Sequence, residues 1–275
     1  MNILNISHHV MESDVNHGSN ILPQLVLSLV FCTLFILYMI STIYSNRRYK
    51  RWPMYRTICW SLGIFLAFIA VTGPLANRAA IDFTAHMLSH LLLGMIAPLL
   101  MVLAAPITLL LRTVSIPLAR TLSSVLRSWP SQIVTHPLVA AFLNIGGLWL
   151  LYSSNLYSLM HENNFIHIIV HLHLFLAGYL FTVSIIPFES MFHRKSFLYR
   201  AIVLILALAG HGILAKYIYA HPPEGVPLDQ AEFGSMLMFY GGDVIDAIII
   251  FLLCLQWYRA AKPRVVENVG DRKGA

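Results

Sequence analysis

The chain has 275 residues, of which 58% are hydrophobic and 11% charged, with a formal net charge of +6. Soluble domains carry roughly 25% charged residues, so this composition excludes an ordinary soluble fold and points to a bilayer. The positive balance does not indicate nucleic-acid binding, because the Lys and Arg residues sit in short clusters between apolar runs, as they do in membrane loops.

In chain order, residues 1–20 are polar and predict an extracytoplasmic tail. They lack a basic region followed by an apolar core, so no cleaved signal peptide is expected. Residues 21–260 hold seven apolar segments, near 21–44, 57–76, 83–111, 133–153, 164–187, 197–219 and 233–258. Each is long enough to cross roughly 30 Å of hydrocarbon as a helix. The third contains Pro98 and Pro106, which predict a kink or an interfacial end. The fourth has the weakest pattern, since it opens at His136-Pro137 and contains Gly146-Gly147. Residues 261–275 form a basic tail. No internal repeat, low-complexity linker or second soluble domain is visible.

Charge sets the expected orientation. Arg47, Arg48, Lys50, Arg51 and Arg56 share one side with Arg112, Arg120, Arg127, Arg194, Lys195, Arg200 and the basic residues of the tail. Only Arg78 and Lys216 fall on the other side. The positive-inside rule makes the crowded side cytoplasmic. The N-terminus is then outside and the C-terminus inside, which needs an odd number of spans. The fold expected is therefore all-α, a bundle of seven transmembrane helices.

Histidine placement is the chemical signal. On this topology His86 and His90 lie in the outer part of the third span, His167 and His171 in that of the fifth, and His211 in that of the sixth. The two pairs are spaced i, i+4, so each lies along one helix face. Asp243 of the seventh span reaches a similar depth. The expected metal-capable set is therefore His86, His90, His167, His171, His211 and Asp243, in two adjacent layers one turn apart. Asp82, Asp246, His173, Met236 and Met238 are candidates for supporting roles around it. Ionisable groups at membrane depth cost several kcal/mol unless partnered, which makes a purely packing role for the whole group hard to sustain. Imidazoles with a carboxylate or thioether suit copper or zinc. His8, His9 and His17 lie in the N-terminal tail, and His136 and His193 on the basic side.

Cys32, Cys59 and Cys254 all fall in apolar segments without a CxxC pair, so neither a disulfide framework nor a thiolate metal motif is expected. No HExxH, Gly-rich phosphate loop, Ser-elbow or nucleic-acid module occurs. The residue types leave several functions open. They include a copper-handling protein, a zinc-dependent intramembrane hydrolase using a metal-bound water, a haem-binding or copper-permeation protein with His90 and His171 as facing ligands, and a structural role for the histidines.

The stretch DFTAHMLSHLLLGMIAPLLMVLAAPITLLLR (82–112) resembles the signature of the CtaG-like seven-span proteins needed for assembly of cytochrome c oxidase. HIIVHLHLFLAGYLF (167–181), HGILA (211–215) and GGDVIDAI (241–248) resemble further motifs of that family in the same order. The likeness covers roughly residues 20–260. It is to the seven-span family, not to the single-span copper chaperone that has shared its name. It implies a multi-pass protein of the bacterial plasma membrane that is an assembly factor rather than an enzyme, with no catalytic residues. The implied partners are oxidase subunits or their assembly intermediates, within the lipid bilayer and without nucleic acid. Copper is the implied metal and zinc a possible one. The family's histidines map onto His86, His90, His167, His171 and His211, and its acidic position onto Asp243.

Overall fold

A computed structural model describes residues 4–188 and 195–262, with side chains described from Ile21 onward. His193, Arg194, Arg264, Arg272 and Lys273 lie outside the described residues, and so do the side chains of His8, His9 and His17. All regular structure among the described residues is helical.

The first helix, α1 (Leu4–Arg48), starts inside the stretch expected as a polar tail, and its apolar part is Ile21–Arg48. It is followed by α2 (Met54–Val71) and a short α3 (Gly73–Ala79). Asp82 caps α4 (Phe83–Leu103) by accepting from the amides of Thr84 (2.9 Å) and Ala85 (3.3 Å). The third apolar segment breaks where its second proline predicts. Pro106 bars Ala105 from a right-handed helical conformation, Ala105 adopts φ 53°, and a separate α5 (Pro106–Thr113) begins. The first proline acts differently. It cannot donate to the Gly94 carbonyl four residues back, and α4 widens into a π turn over Leu92–Ile96 just before it.

On the basic side follow α6 (Ile116–Arg127) and α7 (Trp129–Val134). The fourth apolar segment becomes α8 (Pro137–Ser153), with a π turn at Phe142–Gly146, and α9 (Leu156–Glu162), bent by 79° from it. Asn163 then caps α10 (Asn164–Ile185) through the Phe165 and Ile166 amides, and Ser196 caps α11 (Phe197–Ala220). The last described helix is α12 (Leu228–Ala261).

Six of these helices are long and apolar enough to cross a membrane, and the count becomes seven if α8 and α9 form one broken span. The expected count of seven spans thus depends on the segment with the weakest pattern. Apolar side chains such as Leu29, Ile58, Ile205 and Phe251 are more than half exposed on the outer surface, as the face of a multi-pass membrane protein requires. Inside, Phe31, Phe83, Met87 and Leu214 are almost fully buried. α4 and α10 approach each other closely. A Cβ on Gly178 would collide with the Gly94 carbonyl oxygen, so only glycine allows this contact.

The packing gathers the basic segments at one end of the bundle. Arg112 donates to the Lys50 carbonyl, and the His136 ring meets Tyr199. At the opposite end, the Gln24 amide donates to Asn77, and the Phe83 amide donates to Gln230.

Candidate functional site: a buried file of histidines

The histidines predicted from i, i+4 spacing converge between α4, α9, α10 and α11. His86, His90, His171 and His211 are all buried, and His167 is half-buried. At the end of the bundle away from the basic loops, His161 of α9 stands at the surface. Its Nδ1 donates to the Tyr157 carbonyl at 2.9 Å. The His86 ring lies 6.3 Å from it, with Tyr157 between at 5.2 Å from His86 and 4.7 Å from His161. His86 Nε2 hydrogen-bonds the Tyr152 hydroxyl at 3.1 Å. His167 and His171 stack at 4.1 Å, and His171 Nδ1 donates to the His167 carbonyl at 2.9 Å.

One turn deeper, His90 stacks on His211 with ring centroids 6.4 Å apart. Neither His90 nitrogen has a hydrogen-bond partner, and neither does His211 Nε2. The two rings line a cavity of about 20 Å³ with Asn144, Thr182 and Asp246. The backbone of α12 shapes this position. A Cβ on Gly242 would sit 2.7 Å from His211 Cε1, so the glycine gives the imidazole its seat.

The fit of this donor set to a metal ion can be judged from its free nitrogens. A histidine whose Nδ1–H is held by a carbonyl presents Nε2 as the lone-pair nitrogen, the usual support for a ligating imidazole. His161 and His171 are held this way. Unpartnered buried polar atoms cost about 1–3 kcal/mol each, and three of them meet at His90 and His211. The donors therefore fit a soft or borderline cation. They are arranged in pairs along a file rather than in a closed cage. No three His, Cys, Asp or Glu side chains form a ready metal cluster among the described residues.

The acidic and supporting candidates divide differently from their expected roles. Asp243 is exposed on α12 but within electrostatic reach of His211, while Asp246 is buried and lines the His90–His211 cavity. The helix period explains this. Met238, Gly242, Ile245, Asp246, Ile249 and Leu253 form the inward face, and Asp243 lies about 100° from Gly242 around the helix. Asp82 is engaged in the α4 cap and in a 3.1 Å ion pair with Arg78. His173 is exposed and its Nε2 donates to the Leu143 carbonyl in the α8 π turn. Met238 is fully buried in the core. Met236 is partly exposed and lines a separate groove beside Lys216. The cysteines are all free, two exposed and Cys59 half-buried.

Residues 36–260 match the family described as cytochrome c oxidase caa3 assembly factor. The chain belongs to that family. It is also similar to an uncharacterized protein of Mycobacterium leprae (strain TN), at 28% identity over 257 residues. That alignment takes in 84% of this chain but 39% of the relative, so the chain spans well under half of the relative's length. No solved structure matches.

In this member of the family, two tyrosines pack against the candidate site and carry no histidine-like signal in the sequence. Tyr152 and Tyr157 are buried, and with Phe83 they box the His86 ring. Both come from the segment whose bent path was the least legible. The α8–α9 bend swings Tyr157 and His161 back over α4, which is how residues distant in a straight span reach His86.

Proposed function

We propose that this assembly factor handles copper as cargo at the histidine file and aids metallation of an oxidase subunit. The observation that carries the reading is the set of three unpartnered imidazole nitrogens on His90 and His211, beside Asp246. His161, His167, His171 and His86 lead towards it from the surface. Copper favours imidazole nitrogen, and cuprous copper is content with as few as two donors, which suits pairs better than a closed cage. Asp246 brings a buried carboxyl group close to the deepest pair. On the positive-inside rule the basic end is cytoplasmic, so the His161 end opens outside.

The size of the deep cavity weighs against the haem reading, because about 20 Å³ admits one small ion or water and not a porphyrin. The hydrolase reading needs three protein ligands plus a bound water on one metal, and the paired arrangement favours it less.

The test is metal analysis of the full chain purified with cuprous copper under reducing conditions, beside a His90→Ala/His211→Ala variant. The wild type is expected to retain copper and the variant to lose most of it, with oxidase activity of the host membranes falling in parallel. A wild type that holds no copper, together with a variant that still matures the oxidase, would overturn the proposal.

A further inference from the structure

The deep cavity is roofed on the side that faces the His161 end. Its walls include His90 of α4 and Leu148 of α8. One helical turn nearer the His161 end stand His86, four residues before His90, and Tyr152, four residues after Leu148. Neither of these two lines the cavity. They are 7% and 3% exposed, and the 3.1 Å hydrogen bond between His86 Nε2 and the Tyr152 hydroxyl joins α4 to α8 across this level.

The Tyr152 ring stands nearly perpendicular to both imidazoles of α4. Its centroid is 6.1 Å from that of His86 and 6.4 Å from that of His90, at interplanar angles of 82° and 83°. One phenol thus contacts the outer ring and the deep ring together. Phe83, stacked on His86 at 6.0 Å, and Tyr157, at 5.2 Å, make the rest of this level aromatic.

The hydrogen bond also decides what His86 can do. Its Nε2 is engaged by the hydroxyl, whereas both nitrogens of His90 and Nε2 of His211 are unpartnered. A cation coming from His161 therefore meets an engaged imidazole before it meets the free pair. A single neutral hydrogen bond is a small barrier, and imidazole can exchange it for a stronger bond to a soft cation.

We infer that the His86–Tyr152 hydrogen bond is the gate of the histidine file. It closes the roof of the deep cavity, and copper passes between the outer histidines and the His90–His211 pair when His86 exchanges the hydroxyl for the ion. The inference rests on the copper reading of that pair and adds how access to it is controlled.

The full chain in detergent would be loaded with cuprous copper under reducing conditions and its copper content measured. Release would be followed by the absorbance of the cuprous complex of bathocuproine disulfonate. Uptake by the metal-free chain would be timed from the cuprous acetonitrile complex, with desalting as the quench. Tyr152→Phe keeps the ring and removes the hydroxyl. It should hold as much copper as wild type but release it and take it up about fivefold faster, the effect of removing one hydrogen bond from the barrier. Tyr157→Phe alters the other tyrosine beside His86 and should keep the wild-type rates. A gate moves both rates together and leaves the retained amount alone, while a purely structural bond lowers Tm and moves neither rate. The inference is overturned by wild-type rates in Tyr152→Phe, by an equal acceleration in Tyr157→Phe, or by a loss of retained copper that tracks faster release without faster uptake. A wild type that holds no copper is a separate failure, since it removes the copper reading itself and the gate with it.

Discussion

Replacing His90 with leucine should make the metal-free protein more stable. The side chain is 3% exposed and neither ring nitrogen meets a hydrogen-bond partner. Each buried polar atom left in that state costs about 1–3 kcal/mol. A single water in the adjacent cavity could satisfy one of them, which sets the lower end of the gain. Leucine has a similar volume, and a swap of that kind in a packed core costs less than about 1.5 kcal/mol. The balance favours leucine by about 1–2 kcal/mol, which corresponds to a rise in Tm of roughly 2–8 °C for a chain of this size.

The assay is thermal unfolding of the chelator-washed full chain in detergent, followed by circular dichroism. Adding copper should then raise the Tm of the wild type and leave His90→Leu unmoved, because a ligand stabilises only the form that binds it. A packing histidine predicts the reverse order. A fall in Tm for metal-free His90→Leu would show that the imidazole makes a stabilising contact, and the inference from its unpartnered nitrogens would fail.

Three further outcomes follow from the geometry. Gly242→Ala pushes a methyl group to within 2.7 Å of His211 Cε1, so copper retention should fall while stability drops by only about 1 kcal/mol, read by metal analysis and Tm on one preparation. Tyr152→Phe removes the 3.1 Å hydrogen bond to His86 Nε2 and should lower stability by about 1 kcal/mol in denaturant titration. The cap of α4 should weaken in acid. Partial burial pushes the Asp82 carboxyl up, but Arg78 and the amides of Ala85 and Thr84 outweigh it and hold it below its ordinary value of 3.8. A carboxyl depressed on folding stabilises the fold above its unfolded value, and that contribution is lost as pH falls through the folded one. Asp82→Asn should therefore flatten the acid limb of the Tm-against-pH curve, and an unchanged limb would rule the cap out as its source.

The apolar runs made six helices legible, because a span needs only length and hydropathy, and the prolines marked the break at Ala105. The pairs His86–His90 and His167–His171 were equally legible, since i, i+4 spacing is enough to place both members on one face. Depth alone does not separate the two carboxylates of α12. Asp243 and Asp246 lie at similar depths, and only the stripe of Met238, Gly242, Ile245 and Ile249 shows which one turns inward. Tyr152 and Tyr157 were illegible for another reason. Tyr157 lies beyond the 79° bend between α8 and α9, which has no periodic signature, and Tyr152, just before the bend, shows its role only through its contact with His86 Nε2.

Both π turns border one level of the bundle. The π turn of α4 supplies Gly94 and Met95 to the wall of the His90–His211 cavity, and the π turn of α8 supplies Asn144 and Ile145. Widened turns of this kind are rare and concentrate at functional sites. Pro98 accounts for the first of them, since a regular turn would drive its ring into the Gly94 carbonyl. The same level holds the three unpartnered imidazole nitrogens and the buried Asp246 carboxyl. A sequence selected for packing alone would fill that level with leucine and close both turns, because every one of these features costs stability. Their coincidence around a single small cavity is therefore the strongest physical reason to test that level first for a bound ligand.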